Sequence, residues 1–390
     1  MLVNSLYYPN IIGGAEKSVK ALAESMVKLG HEVAVVTTSD NDGMKLVNGV
    51  HVYYMKIPNL YWIINASGQT LLRRTSWHIL DIENNLISKK ITTYLKEFDP
   101  EIVHTNNLQG FSVSVWKLVS KLNIRIIHTI RDYYLLCPKS SMFKNGKICQ
   151  QCWDCSLFSI RKKAASKYVS AVVGVSRFIV DFHMERGYFP NSKLQKNIYN
   201  INSNDRNSAK GINSRENLVF GFAGMISKHK GVELMIESFL ESAIGNQKLF
   251  IYGKPKEDFY LQYLKEKYLS ERICYKGFVT TEVIFKNIDV MIIPSVWNEP
   301  FPRTLIEAFS YGKVTIASSS GGSQEFIKDG VNGFVFDIEV KTDLSIVLKR
   351  INRRTDLDKI GRRALIDSAQ FSEEIISHKY LESYREVLEE

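Results

Sequence analysis

Apolar runs rich in valine and isoleucine alternate along the chain with stretches whose apolar positions recur at helical spacing. That pattern predicts an α/β protein with parallel sheets covered by helices. In the first half, strands are expected at 1–6, 31–39, 50–57, 101–106, 124–130 and 169–175, and helices at 15–29 and 110–122. The first helix should stop at Gly30, because glycine tolerates the left-handed conformation of a helix C-terminus. A second alternation runs through LVFGFAG, a helix over 231–243, LFIYG, a helix over 258–269, ICYKGFV, IDVMIIPS, VTIAS and GFVFD. Between the two, NSNDRNSAKGINSREN at 202–217 has one isoleucine and one alanine as its only apolar residues and reads as a linker. Two Rossmann-like α/β/α domains are therefore expected, 1–205 and 206–370, with a C-terminal helix at 371–390 packing back toward the first.

At 390 residues and 45% apolar content the chain has material for two cores. Its net charge of +10 is unevenly placed: residues 1–205 carry 25 Lys and Arg against 15 Asp and Glu, while 206–390 carry 26 against 26. A basic first half calls for an anionic partner, whether a phospholipid surface, a lipid-linked phosphate or nucleic acid, unless it is simply a soluble basic face. No nucleic-acid reading module is recognisable, so a membrane surface is favoured and nucleic acid is not expected. Between 139 and 167, Lys139, Lys144, Lys147, Arg161, Lys162, Lys163 and Lys167 face the single acid Asp154. The segment LYWIINASGQTLLRRTSWHIL mixes Trp62, Leu71, Leu72 and Trp77 with Arg73 and Arg74, and suits either an anionic lipid surface or an internal amphipathic helix. The opening MLVNSLYY lacks a secretory leader, and no window of about 18 apolar residues occurs. The expected location is cytoplasmic, peripheral on the inner face of the plasma membrane.

The strongest chemistry lies in PSVWNEPFPRTLIEAFSYGK. It follows an unbroken apolar strand, and ligands of open α/β sheets bind beyond the carboxyl ends of such strands. Pro300 and Pro302 delay the helix that ends at Gly312, so Glu299 falls in the loop and Glu307 in the helix. Two such carboxylates can accept hydrogen bonds from the paired hydroxyls at opposite ends of one polyhydroxylated ligand. Downstream, SSSGGSQEF puts Gly321 and Gly322 before a short helix, a backbone arrangement that accepts anions. Upstream, Lys230 and Gly231 in SKHKGVEL precede another helix, and Lys230 can supply the positive charge that a diphosphate leaving group needs.

The Glu299-to-Glu307 spacing within NEPF…E, the GGSQE segment and the KHKG turn together resemble the donor side of glycosyltransferase family 4, retaining enzymes of the GT-B fold with two Rossmann-like domains across a cleft. The resemblance implies a retaining hexosyltransferase that needs no catalytic metal and takes a UDP- or GDP-sugar. The same resemblance puts Glu307 on the ribose, Glu299 on the donor sugar, Lys230 on the diphosphate, and Phe301, Gly321, Gly322 and Glu325 in the donor site. The implied acceptor is lipid-linked or a glycan, in polysaccharide or lipopolysaccharide assembly. Family members commonly carry an Arg where this chain has Met225, and Lys228 or His229 stand ready to compensate.

In the first half, Gly13 and Gly14 lie between a strand and a helix, where glycines admit a ligand to the backbone. The resemblance extends to this GGAEK turn, which in similar enzymes touches the donor. Two later strands end in polar groups, at His104, Asn106 and Asn107 on the acceptor side, and at Arg131 and Asp132. Many relatives have His where Arg131 stands. Arg131 could stabilise the departing phosphate. Asp132 could orient or deprotonate the acceptor hydroxyl, or merely cap its loop. His128, within a strand, reads as a core histidine.

Cys137, Cys149, Cys152 and Cys155 fall within 19 residues, and Cys274 stands apart. In a cytoplasmic chain this spacing proposes structural zinc. The SDNDG segment around Asp40 and Asp42 reads as a turn in preference to a D-x-D metal site. Two other functions compete with transfer: a sugar-nucleotide epimerase on the same fold, and a non-catalytic nucleotide-sugar binding protein.

Overall fold

The computed structural model describes residues 1–202, 215–340 and 342–389, so most of the expected 202–217 linker lies outside the described residues. The elements run β1 (Leu2–Asn4), α1 (Gly14–Lys28), β2 (Ala34–Ser39), β3 (Gly43–Val47), β4 (Val50–Lys56), α2 (Leu71–Ile82), α3 (Asn85–Phe98), β5 (Ile102–Thr105), α4 (Ser114–Lys121) and β6 (Arg125–Ile130). They continue through a short hairpin of β7 (Phe143–Lys144) and β8 (Lys147–Ile148), then α5 (Trp153–Ala165), β9 (Ala171–Gly174), α6 (Arg177–Met184) and β10 (Leu194–Asn197). The second series is β11 (Val219–Ala223), α7 (Val232–Ser242), β12 (Lys248–Tyr252), α8 (Asp258–Lys267), β13 (Ile273–Gly277), α9 (Thr281–Lys286), β14 (Val290–Ile293), α10 (Arg303–Ser310), β15 (Val314–Ser318) and β16 (Phe334–Phe336). Three helices close the chain: α11 (Asp343–Arg353), α12 (Leu357–Asp367) and α13 (Glu373–Glu389).

Two compact units result. The first comprises Met1–Met142, Gln150–Ile201 and Glu373–Glu390, the second Phe143–Cys149 and Asn202–Ser372. The first is built on an eight-stranded sheet of order β10-β9-β6-β5-β1-β2-β4-β3, parallel except for β3 against β4. The second holds a six-stranded parallel sheet of order β13-β12-β11-β14-β15-β16. In each sheet the chain leaves a central strand, β1 or β11, to build outward on one side and then on the other. The resulting switch point is where open α/β sheets place their ligands.

The strands expected from apolar runs are all present, shortened by one to three residues at most ends because side-chain pattern outlasts ladder pairing. The helix expected at 110–122 begins only at Ser114, since Gly110 and Ser112 adopt φ of 93° and 65° and break the first turn. The Asp40–Asp42 segment is the turn into β3, and both Asp42 oxygens accept from Lys90 Nζ at 2.8 Å. α13 belongs to the first unit's core: Ile376, Tyr380 and Val387 are buried among Leu2, Val35, Val52 and Ile127, and Ser25 and Ser377 hydroxyls meet at 2.6 Å.

Candidate functional site

In the second unit, three loops leave the carboxyl ends of β11, β14 and β15 and lock together. Gly231 ends the turn Lys228–Lys230 with φ 69°, and a Cβ there would stand 1.8 Å from the Pro294 carbonyl oxygen, so only glycine fits. Val296 N–H donates to the His229 carbonyl at 3.0 Å, tying the first loop to the second. Gly321, at φ 64°, lies so close that a Cβ would fall 2.1 Å from the Glu299 carbonyl oxygen, and Gly322 N–H donates to that oxygen at 2.9 Å. Ser320 Oγ donates to the Trp297 carbonyl at 2.8 Å.

These contacts hold Glu299 and Lys230 face to face. Lys230 Nζ lies 2.6 Å from Glu299 Oε1, and Ser295 Oγ donates to Oε2 at 2.6 Å. Burial alone would push the Glu299 carboxyl up, but the Lys230 charge and these hydrogen bonds outweigh it and hold the group below the usual carboxylate range. The site therefore keeps a partly buried carboxylate ionised beside an ammonium, with Trp297 alongside: its ring centroid is 5.7 Å from Lys230 Nζ and 5.6 Å from the His229 ring. Burial, then the Lys230 charge, lowers His229 to about 4, so it is neutral at pH 7. Lys228 is exposed, as is Met225.

Glu307 sits on α10, one turn from Arg303, whose Nε is 3.9 Å from its Oε1. Phe301 does not present its ring to a ligand: it is buried, 6.0 Å from the Phe371 ring, in a cluster with Phe309 and Phe326. Glu325 is exposed in the turn Ser323–Glu325.

In the first unit, Gly13 caps α1 in extended conformation and its N–H donates to Glu16 Oε2 at 2.8 Å, with Gly14 the first helical residue. Arg131 follows β6, its Nε donating to Asn106 Oδ1 at 2.8 Å and its Nη1 to Asn200 Oδ1 at 2.7 Å. Asn106 is thus a buried support for Arg131. Asn107 N–H donates to Asn4 Oδ1 at 3.1 Å. His104 is fully engaged by protein: Nε2 lies 2.7 Å from Thr129 Oγ1 and Nδ1 2.8 Å from the Tyr384 hydroxyl. Its strand position points it under the sheet and against α13, so neither ring nitrogen is left for a ligand. His128 is likewise a core residue, bonded to Thr105 Oγ1 at 2.9 Å. Asp132 Oδ1 accepts from Tyr134 N–H at 2.8 Å, the local cap that its loop position allows. Burial raises its carboxyl to about 6.

Beneath this loop lies a buried polar network that sequence pattern missed. Asp81, on α2, accepts from Gly110 N–H at 2.8 Å and from the Tyr134 hydroxyl at 2.7 Å, and burial raises it to about 7. Lys162 is buried, not part of a basic surface: its ammonium donates to the Tyr134 carbonyl at 2.8 Å and lies 3.4 Å over that ring's centroid. Burial pulls Lys162 down to about 8, opposed by Asp81 and Asp132. Helical phase was the available signal, since Lys162 falls opposite the exposed Trp153, Leu157 and Ile160 on α5.

Comparison with known proteins agrees with this architecture. A family model described as Glycosyltransferase Family 4 matches residues 12–195, and one described as Glycosyl transferases group 1 matches 203–363. The chain is 32% identical to a 42.6 kDa protein in the cps region of Klebsiella pneumoniae over 99% of both chains. It is 31% identical to a putative glycosyltransferase of Bacillus subtilis over 75% of this chain and 74% of that one. Among solved structures, the Anabaena protein HepE in complex with UDP and glucose superposes with TM-score 0.71 at 19% identity, covering 99% and 98%. The fold and the family models together define a GT-B glycosyltransferase. Within that class the chain belongs to glycosyltransferase family 4.

Proposed function

We propose that this glycosyltransferase moves a hexose from a UDP- or GDP-sugar to a lipid-linked or polysaccharide acceptor, retaining anomeric configuration without a catalytic metal. The observation that carries the reading is the partly buried Lys230–Glu299 pair, held by glycines that admit no side chain. A donor entering beyond β11 and β14 would take Lys230 onto its diphosphate, free Glu299 to accept from sugar hydroxyls, and meet Glu307 with its ribose. Positive charge where the leaving group develops negative charge lowers the barrier. The N–H groups opening α7 and that of Gly321 would share that role, with Gly322 holding the loop through its bond to the Glu299 carbonyl. On the first unit, Gly13 and Gly14 stand at the opening of α1 as a further donor contact, and Asp132, raised toward neutrality, would orient or deprotonate the acceptor hydroxyl. Arg131, fixed by Asn106 and Asn200, would hold charge beside it, with Asn107 lining the acceptor side. His104 is left out, because both its ring nitrogens are used internally.

The relative in the cps region supports a role in cell-surface polysaccharide or lipopolysaccharide assembly. An anionic membrane surface as partner is supported by α2 and α5. They are joined by Arg161 to Glu83 at 2.9 Å, and expose Leu71, Leu72, Ile79, Trp153 (82% exposed), Leu157 and Ile160 beside Arg73, Arg74 and Lys163. Among the described residues, no helix is long and apolar enough to cross a membrane.

The reaction is tested by incubating the purified chain with a panel of UDP- and GDP-sugars and measuring nucleoside diphosphate release with and without glycan or lipid-linked acceptors. Release should require one donor and increase with acceptor, and Lys230→Ala should lower turnover about 10²–10³-fold, as for loss of an oxyanion donor. Acceptor-independent change of the sugar would indicate epimerisation instead.

A further inference from the structure

Four of the five cysteines lie between 137 and 155, and the transfer chemistry uses none of them. Cys137 is buried at the end of the loop that carries Arg131 and Asp132, its N–H donating to the Tyr133 carbonyl at 2.8 Å. Cys152 caps the N-terminus of α5, and Cys155 lies in that helix's first turn. The Sγ atoms of Cys155 and Cys137 are 3.6 Å apart, and the ligand atoms of Cys152, Asp154 and Cys155 all lie within 4.8 Å of one another. Cys155 is thus shared between two close pairs drawn from two segments. We propose that Cys137, Cys152 and Cys155 hold a zinc ion that ties the start of α5 to the Arg131–Cys137 loop, with Asp154 the nearest further donor.

The distances favour a metal over a disulfide. Zinc bound to thiolate at about 2.3 Å in a tetrahedron separates its sulfurs by about 3.8 Å, close to the 3.6 Å between Cys137 and Cys155, whereas a disulfide needs about 2.05 Å. Three soft sulfur donors select a thiophilic divalent cation over magnesium or calcium. The surroundings offset part of the negative charge such a set acquires: Cys152 and Cys155 lie at the positive end of the 13-residue α5, and the same helix carries the buried Lys162. Cys149 belongs to Phe143–Cys149, grouped with the second unit, and is not counted among the ligands. The chemical role is structural. The site would fix the loop bearing Arg131 and Asp132, and its failure leaves the donor reading on Lys230 and Glu299 untouched.

Metal analysis of the full chain, purified under reducing conditions without chelator, should give about one zinc per molecule, the stoichiometry of a structural site. Replacement by cobalt should produce thiolate-to-cobalt charge-transfer absorption with the strong visible bands of tetrahedral geometry. Cys155→Ser should abolish both, while Cys274→Ser keeps them. Should Cys155→Ser not fold, the cobalt spectrum of the unsubstituted chain still decides. Absence of metal after zinc incubation and desalting, full retention of metal by folded Cys155→Ser, or a thiol titration two short with no metal bound would each overturn the site.

Discussion

Glu299 and His183 answer burial in opposite ways, and the difference is whether a partner waits. Glu299 stays ionised because Lys230 and Ser295 supply more than desolvation removes. His183 has its Nδ1 bonded to the Ile179 carbonyl at 2.8 Å, while Nε2 is buried without an acceptor, so a second proton would have nowhere to donate. Burial therefore depresses it to about 4. The unfolded chain, with an imidazole near 6.5, takes up a proton that the native state refuses. The stability this histidine contributes is present above about pH 6.5 and is lost as pH falls toward 4. Asp81 and Asp132, raised to about 7 and about 6, act in the opposite sense over much of that window, so a site-resolved readout is the clean one. Nitrogen-15 histidine NMR at pH 5 should show His183 still neutral as the Nδ1–H tautomer; a protonated ring there would contradict the account.

The membrane reading belongs to the pair α2 and α5, and it also marks how far the sequence could be read. The basic run at 161–163 points to surface charge, but Lys162 is interior, and the outward face is a stripe of Trp153, Leu157 and Ile160 at helical spacing. Replacing Leu72, Trp153 and Ile160 together with serine should abolish binding to phosphatidylserine vesicles, while the same triple variant keeps its far-ultraviolet dichroism. Unchanged vesicle sedimentation would remove the membrane from the account. The strands buried on both faces were legible because a short continuous run of Val and Ile suits little besides a sheet interior. The placing of Glu299 in a loop and Glu307 in a helix was legible because Pro300 and Pro302 delay the helix and Gly312 follows its end. β3 and β10 were not, since edge strands such as Gly43–Val47 are largely exposed and carry little apolar signal. His104 misleads because a polar residue at a strand's end looks the same whether it faces a ligand or a helix from the far end of the chain. Its partner Tyr384 stands 280 residues away.

Taken whole, the molecule places its chemistry unevenly. Counted over the two units, the positive charge is shared, each carrying a net charge of +5, while the second unit holds the tightest glycine contacts and the Lys230–Glu299 ion pair. Family membership is established by the relatives and family models, and the donor grip proposed for Lys230, Glu299 and Glu307 is what a measurement has to decide. Calorimetric titration of the preferred nucleotide sugar into the Glu299→Ala/Glu307→Ala variant tests that grip most directly. Losing hydrogen bonds to charged groups costs about 1.5–3 kcal/mol each, so affinity should fall at least about tenfold and transfer further still. Donor affinity and transfer rate equal to those of the unsubstituted chain would contradict the account.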